Sequence, residues 1–225
     1  MTFIGRGLAL IVILASGVYG YGGFGATLSF VDVTDLNQRL TELNTLPNPN
    51  GWNGSDTFKL KGPLWWVGGH GGGLVGDVTL AGSGAATLLN SGVDSLVFES
   101  GGVMGQFEVA YRYAPIENVW IRPCLDIGGQ TWGCFVHSRE SFSDPNFSRW
   151  FLNWSVTVQP GLDVTGWLRY QEEHMVGVFA KVGYSVPLYG PSWYGDESPP
   201  NFDIQGLTLS FGLRFDETKS GPMRI

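Results

Sequence analysis

The chain has 225 residues, of which 34 are glycine, 14% are aromatic and 15% are charged, and its net charge is −7. Soluble proteins carry about 25% charged residues on average, so this composition is typical of a chain that shows little surface to water. The negative charge argues against nucleic acid as a partner, because nucleic acid binds basic surfaces.

The first twenty residues have the features of a secretory signal peptide. Arg6 precedes a short apolar run over 7–14, and small residues follow over 15–20. The run is shorter than the ~20 apolar residues that a spanning helix needs, so a membrane-anchoring helix is the weaker alternative. We expect an exported chain, with residues 1–20 as the signal peptide and residues 21–225 as a single domain.

Period-two alternation of apolar and polar residues predicts eight strands. The segments are 24–33, 63–75, 77–89, 95–114, 117–138, 149–168, 174–188 and 203–216. Short turns near 76, 115–117 and 169–173 lie at the end with both termini, whereas the connections 34–62, 90–94, 139–148 and 189–202 lie at the other. An even strand number with short turns at one rim and longer loops at the other is typical of an outer-membrane barrel. Residues 217–225 remain as a tail.

One short helix is predicted inside the first long loop, 34–62. The segment "TDLNQRLTELNTLP" places leucines 36, 40, 43 and 46 on one helical face. Thr34 or Asp35 can cap its start, and Pro47 prevents its extension.

Each predicted strand has one apolar and one polar face. Over 152–164, for example, an apolar set of Leu152, Trp154, Val156, Val158, Leu162 and Val164 alternates with a polar or small set. The apolar set points inward in a soluble barrel or sandwich, and outward to lipid in a membrane barrel. Aromatic residues near the strand ends favour the membrane barrel, because aromatic girdles lie at lipid–water boundaries. These aromatics are Trp65, Trp66, Tyr111, Tyr113, Trp120, Trp150, Trp167, Tyr170, Tyr184, Tyr189, Trp193 and Tyr194.

The segments "GLTLSFGLRF", "GVFAKVGYSVPLYG" and "FEVAYRY", together with the signal peptide, resemble the small outer-membrane β-barrel proteins of the OmpA, OmpX and OmpW type. The resemblance covers nearly all of the mature chain. It implies an all-β, eight-stranded antiparallel up-and-down barrel in the outer membrane. The chain departs from that family at its end, where Phe215 is followed by "DETKSGPMRI" instead of closing on an aromatic residue.

Seven charged residues lie inside the barrel if the polar face lines the lumen. They are Glu99, Glu108, Arg112, Arg122, Asp126, Lys181 and Arg214. The interior of an eight-stranded barrel is just wide enough for side chains to fill, and charges buried there must pair. The sequence therefore predicts a luminal salt-bridge network, with a narrow gated polar path as the sharper alternative.

The run "GGHGGG" predicts a packing cluster in the lumen, formed by His70 with Gly69, Gly71 and Gly73. The small residues would leave space for a bulky group, such as the first long loop or its helix. His137 and His174 have no metal-ligand spacing, so we expect no metal and no other cofactor.

Cys124 and Cys134 lie ten residues apart in one predicted strand, beyond disulfide reach unless the chain reverses at 128–129. Two packed thiols are favoured.

The sequence has no nucleophile–base motif, and we expect no catalytic residues. The favoured function is a non-enzymatic outer-membrane barrel with an envelope role, loop-mediated contact or small-solute passage. Its partners would be the lipid bilayer and an unknown protein or solute at the long loops, which carry Trp52, Phe142, Phe147, Trp193 and Tyr194. The alternatives are a soluble exported barrel of the lipocalin kind that binds a hydrophobic ligand, and a secreted β-sandwich enzyme or carbohydrate binder.

Overall fold

The computed structural model describes residues 20–35, 37–38, 62–93, 96–138, 149–171, 174–195 and 205–216. Its strands are β1 (Tyr21–Val31), β2 (Leu64–Val75), β3 (Val78–Val93), β4 (Leu96–Tyr111), β5 (Tyr113–Ile116), β6 (Val119–Ser138), β7 (Arg149–Gln171), β8 (His174–Gly195) and β9 (Gly206–Asp216). Among these residues there is no helix with the length and apolar character that crossing a membrane requires.

The strands close into a barrel in which every pairing is antiparallel. Except for β4 and β5, neighbours in sequence pair with each other, β4 pairs with β6, and β1 pairs with β9 to complete the circle. The short β5 follows β4 after Arg112 and pairs with the start of β6, so β4 and β5 together form one of eight strands around the barrel. The predicted eight-stranded antiparallel up-and-down barrel is confirmed.

Three strands, β3, β7 and β8, end later than their sequence patterns predict. β3 continues to Val93 and β8 to Gly195, so residues 90–93 of the predicted loop 90–94 and residues 189–195 of the predicted loop 189–202 are strand. Asn90 pairs with Glu99, and Ser192 pairs with Trp154. Residues that favour turns remain extended here because a long neighbouring strand supplies ladder hydrogen bonds, and this tertiary contribution outweighs local preference.

The two ends of the barrel differ as predicted. The turns at Gly76–Asp77 and Glu117–Asn118 lie at the end where β1 starts and β9 finishes. Gly76 and Asn118 have φ values of 64° and 67°, the left-handed region that glycine and asparagine tolerate best. The connections after β1, β6 and β8 are long and lie at the opposite end, called the loop end below.

Three predicted segments lie wholly or mainly outside the described residues. The signal peptide falls on 1–20, of which only Gly20 is described, and the tail falls on 217–225. Thr34, Asp35, Asn37 and Gln38 have helical backbone, and Asn37 N donates to the carbonyl oxygen of Val33 at 2.9 Å. The rest of the predicted helix is outside the described residues, so the helix stays a prediction.

The apolar face of the barrel wall points outward and the polar face points into the lumen. On β9, Phe211 is 45% exposed, whereas Arg214 is 3% exposed. On β7, Leu162 and Val164 are exposed, whereas Asp163 and Thr165 are fully buried. This arrangement is the reverse of a soluble barrel or sandwich, whose apolar side chains fill the core.

The aromatic residues divide between the two faces. Those exposed on the outside are Trp65, Tyr111, Tyr113, Trp150, Tyr184 and Tyr189. The girdle prediction is wrong for Trp66, Trp120 and Trp167, which share the inward face of their strands with buried luminal residues. Successive side chains on a strand alternate between faces, so position along the strand alone does not make an aromatic residue part of a girdle. The side chains of Tyr170, Trp193 and Tyr194 lie outside the described set.

Candidate functional site

The lumen contains a network of six charged side chains, three of each sign. Glu108 comes from β4, Arg122 and Asp126 from β6, Asp163 from β7, Lys181 from β8 and Arg214 from β9. All six lie on inward-facing positions, because each strand alternates and its other face carries the apolar belt. We call this set the luminal ion network.

Asp163 is the centre of one half of the network. Its Oδ2 accepts a hydrogen bond from Nη2 of Arg214 at 2.6 Å, and its Oδ1 accepts one from Nη1 of Arg214 at 2.7 Å. Nε of Arg122, its direct partner across the β6–β7 ladder, lies 3.2 Å from Oδ1. Thr165 also donates to Oδ1 at 3.1 Å. One buried carboxylate therefore binds two buried guanidinium groups, and it holds that of Arg214 in the two-pronged geometry that suits arginine.

Lys181 is the centre of the other half. Its Nζ lies 2.7 Å from Oε2 of Glu108 and 2.6 Å from Oδ2 of Asp126. Gln159 Nε2 donates to the same Asp126 oxygen at 3.3 Å. Oε1 of Glu108 is 3.7 Å from Nη2 of Arg122, which joins the two halves.

Three potential metal ligands lie together at this second centre. The ligand atoms of Glu108, Cys124 and Asp126 all lie within 4.8 Å of one another. The ammonium group of Lys181 contacts both carboxylates and supplies the positive charge that a cation would bring. The arrangement fits a structural ion pair.

His70 contacts Arg214 across an intervening strand. Gly23 on β1 pairs with His70 on β2 and with Arg214 on β9. Because Gly23 has no side chain, Nε of Arg214 reaches Nε2 of His70 at 3.0 Å. The His70 ring also lies edge-on to Phe179, with ring centroids 5.0 Å apart. His70 is therefore a hydrogen-bond acceptor that holds Arg214 in place.

We expect Gly23→Ala to destabilise the barrel by about 1–3 kcal/mol, the usual cost of overpacking. A Cβ at position 23 would lie 2.7 Å from Cε1 of His70 and would overlap the carbonyl oxygen of Leu213. The measurement is urea unfolding in detergent micelles. Gly105→Ala is the control, because a Cβ there meets nothing closer than the Ser83 carbonyl oxygen at 4.0 Å. Equal urea midpoints for Gly23→Ala and Gly105→Ala would contradict the close approach of His70 to position 23.

Several predicted site residues lie apart from the network. Glu99 is exposed next to the buried Ser100, so it is on the outward face and the expectation of a luminal Glu99 is corrected. Arg112 lies at the short-turn rim, where Nη2 is 3.1 Å from Oδ1 of Asp77 and the guanidinium group covers the Trp120 ring at 5.2 Å.

The predicted cluster of His70 with three glycines is also corrected. Gly69 pairs with Phe24 and Gly73 pairs with Leu80, both of which are exposed on the outer face. Gly71 has the same parity, so the three glycines face away from His70. On the inward face the glycine that matters to His70 is Gly23.

Two participants in the site, Asp163 and Tyr21, were not predicted from the sequence. Asp163 lies on the polar face of its strand together with Thr157 and Thr165, and this alternation was sufficient to predict that Asp163 faces the lumen. Tyr21 receives a hydrogen bond from Nη1 of Arg122 at 3.1 Å, although the two residues are 101 positions apart. Its glycine-rich surroundings carry no alternation that could have signalled a luminal residue.

Both cysteines are buried, and neither forms a disulfide. β6 runs without reversal through residues 128 and 129. The predicted pair of packed thiols is confirmed.

A cavity of about 90 Å³ lies between the luminal ion network and the loop end of the barrel. One wall consists of small residues from β1 to β3, including Gly25, Gly68, Ser83 and Ala85. The facing wall carries amide and hydroxyl groups from Gln106, Gln130, Gln159, Ser185, Thr208 and Ser210. Lys181, Glu108, His70, Arg214 and Phe179 form the end nearest the short turns.

No protein-family model matches the chain, and no curated protein sequence matches it. Among solved structures, the chain is similar to the crystal structure of Ail, the attachment invasion locus protein of Yersinia pestis. The similarity has a TM-score of 0.44 with 12% sequence identity, and it covers 88% of this chain and 98% of that chain.

Proposed function

We propose that this chain is a non-enzymatic β-barrel protein of the outer membrane. The observation that carries the proposal is the reversed distribution of side chains, with an apolar belt outside and paired charges inside. A closed barrel satisfies its backbone hydrogen bonds between strands, as a membrane interior requires. Exposed aromatics such as Trp65, Tyr113 and Tyr189 suit the boundaries between lipid and water.

The proposed role is structural, in the integrity of the envelope, or is carried by contacts of the long loops. The luminal ion network fills the short-turn half of the lumen, and the Trp120 and Trp167 rings, 4.7 Å apart, lie beyond it. A lumen blocked by side chains in this way supports a structural role over that of an open channel. A soluble barrel with a hydrophobic ligand has less support, because the cavity is lined by amides, hydroxyls and charged groups.

Cell fractionation tests the proposed location. The protein should sediment with outer membranes, resist extraction by alkaline carbonate, and need detergent for solubilisation. The folded barrel should also migrate differently from the boiled protein on a denaturing gel. Recovery in the soluble periplasmic fraction would contradict the proposal.

Two arginine substitutions at different depths test whether the outer apolar belt faces lipid. Phe211→Arg, on the outer face of β9, should destabilise the barrel in phospholipid vesicles by about 2–4 kcal/mol, the cost of an arginine near the bilayer midplane. Tyr113→Arg, near the short-turn rim, should cost about 0–1 kcal/mol. Both positions are about half exposed, at 45% and 58%. Equal costs at the two positions would exclude a lipid-facing belt.

A further inference from the structure

The luminal cavity contains polar groups that the described protein atoms do not satisfy. Among the described residues, Nε2 of Gln130 and Oγ1 of Thr208 have no hydrogen-bond partner, and both residues line the cavity. Gln130 is 7% exposed and Thr208 is 5% exposed. Buried polar groups in folded proteins are nearly always hydrogen-bonded, so these two groups indicate a polar occupant.

We propose that this cavity binds a small, neutral, hydroxylated molecule of about the size of glycerol. One buried water molecule needs about 10–15 Å³ of cavity volume. A cavity of about 90 Å³ therefore has room for about six non-hydrogen atoms. The inference depends on the barrel fold and not on the cellular location proposed above.

The charges at the cavity end favour a neutral occupant. Lys181 and Arg214 line this end, but each is already held by carboxylates, at 2.6–2.7 Å for Lys181 and 2.6 Å for Arg214. An added anion would lie beside Glu108 and an added cation beside Lys181, so either charge meets a like charge. A neutral molecule avoids this cost of burial.

The remaining lining matches the two parts of a polyol. A hydroxyl group can accept a hydrogen bond from Nε2 of Gln130 and can either donate to or accept from Oγ1 of Thr208. Phe179 offers an apolar surface to the carbon atoms, because its ring covers Gly25 and Gly212, where a Cβ would lie 3.1 Å and 2.9 Å from ring atoms. Larger residues at these two glycines would displace the ring.

The binding test uses the full chain, folded in detergent micelles, with glycerol as the probe. Saturation-transfer NMR on the glycerol protons and the ¹⁵N-labelled side-chain amide of Gln130 give two independent readouts. We expect saturable binding with a half-saturation concentration on the order of 10 mM, as befits six heavy atoms. Acetate and ethylammonium should produce no saturable response. A response that rises linearly with glycerol, or an equal response to the charged probes, would overturn the proposal.

Two neighbouring residues of β3 provide a matched pair of variants. Ala85 lines the cavity, whereas Ala86 pairs with the exposed residues Val67 and Val103 and faces outward. Ala85→Leu should weaken glycerol binding about tenfold or more by filling the cavity, and Ala86→Leu should leave it within about twofold. Unchanged binding in Ala85→Leu would place the glycerol elsewhere and overturn the proposal.

A second variant keeps the test decisive if Ala85→Leu does not fold. Gln130→Met removes the buried donor while keeping an unbranched side chain of similar length, and it also assigns the amide signal. The saturation-transfer response of glycerol should be lost in this variant. A retained response would show that Gln130 is not a ligand of the site.

Discussion

Asp163→Asn is expected to destabilise the barrel by about 3–5 kcal/mol, the cost of removing one partner from a buried ion pair. Asp163 is fully buried and binds both Arg122 and Arg214. Asparagine keeps the shape of the side chain but removes the negative charge. Two guanidinium groups would then remain in the lumen without their shared counter-ion.

The measurement is the free energy of unfolding from urea titration of the barrel in micelles, with gel mobility of the unboiled protein as a second readout. Asp77→Asn is the matched control. Asp77 also contacts an arginine, Arg112, at 3.1 Å, but its side chain is 56% exposed, and exposed ion pairs contribute about 0–1 kcal/mol. A loss for Asp163→Asn no greater than that for Asp77→Asn would contradict a stabilising ion network.

Lys181→Met is expected to have an effect of similar size, because it removes the cation that Glu108 and Asp126 share. We expect a loss of about 3–5 kcal/mol, since two buried carboxylates would face each other without the ammonium group. Methionine retains most of the aliphatic volume, so the loss reports mainly on charge.

A double-mutant cycle distinguishes loss of charge pairing from loss of packing. Adding Glu108→Gln to Lys181→Met removes one of the two unpaired carboxylates and should recover part of the stability. We expect the two changes to be non-additive by about 1–3 kcal/mol, the range for residues in direct contact. Strict additivity in the same urea titration would show that the two side chains are not coupled.

The barrel itself could be predicted because its signal is local and repeated. On β7, apolar residues alternate with a polar row that includes Thr157 and Asp163, which is the two-residue period of a strand. In a closed barrel, one of these two rows must face the lumen and the other must face outward. Strand ends were less predictable, as Asn90 and Ser192 show, because pairing with a neighbouring strand kept these turn-favouring residues extended.

The membership of the ion network was only partly predictable. Glu99 and Glu108 are nine positions apart on one continuous strand, and an odd separation places them on opposite faces. The same parity rule separates His70 from Gly69, Gly71 and Gly73. These corrections were within reach of the sequence, since they need only the phase of the strand.

The sequence by itself determined the fold class, the number of strands and the two faces of each strand, because each depends on a period of two residues along the chain. Only the tertiary structure decided which luminal groups meet. Tyr21 contacts Arg122 from 101 positions away, and His70 reaches Arg214 over Gly23, because the stagger of the strands sets the height of each residue in the lumen. That stagger is fixed by hydrogen bonds between strands that are distant in sequence, and no local pattern encodes it.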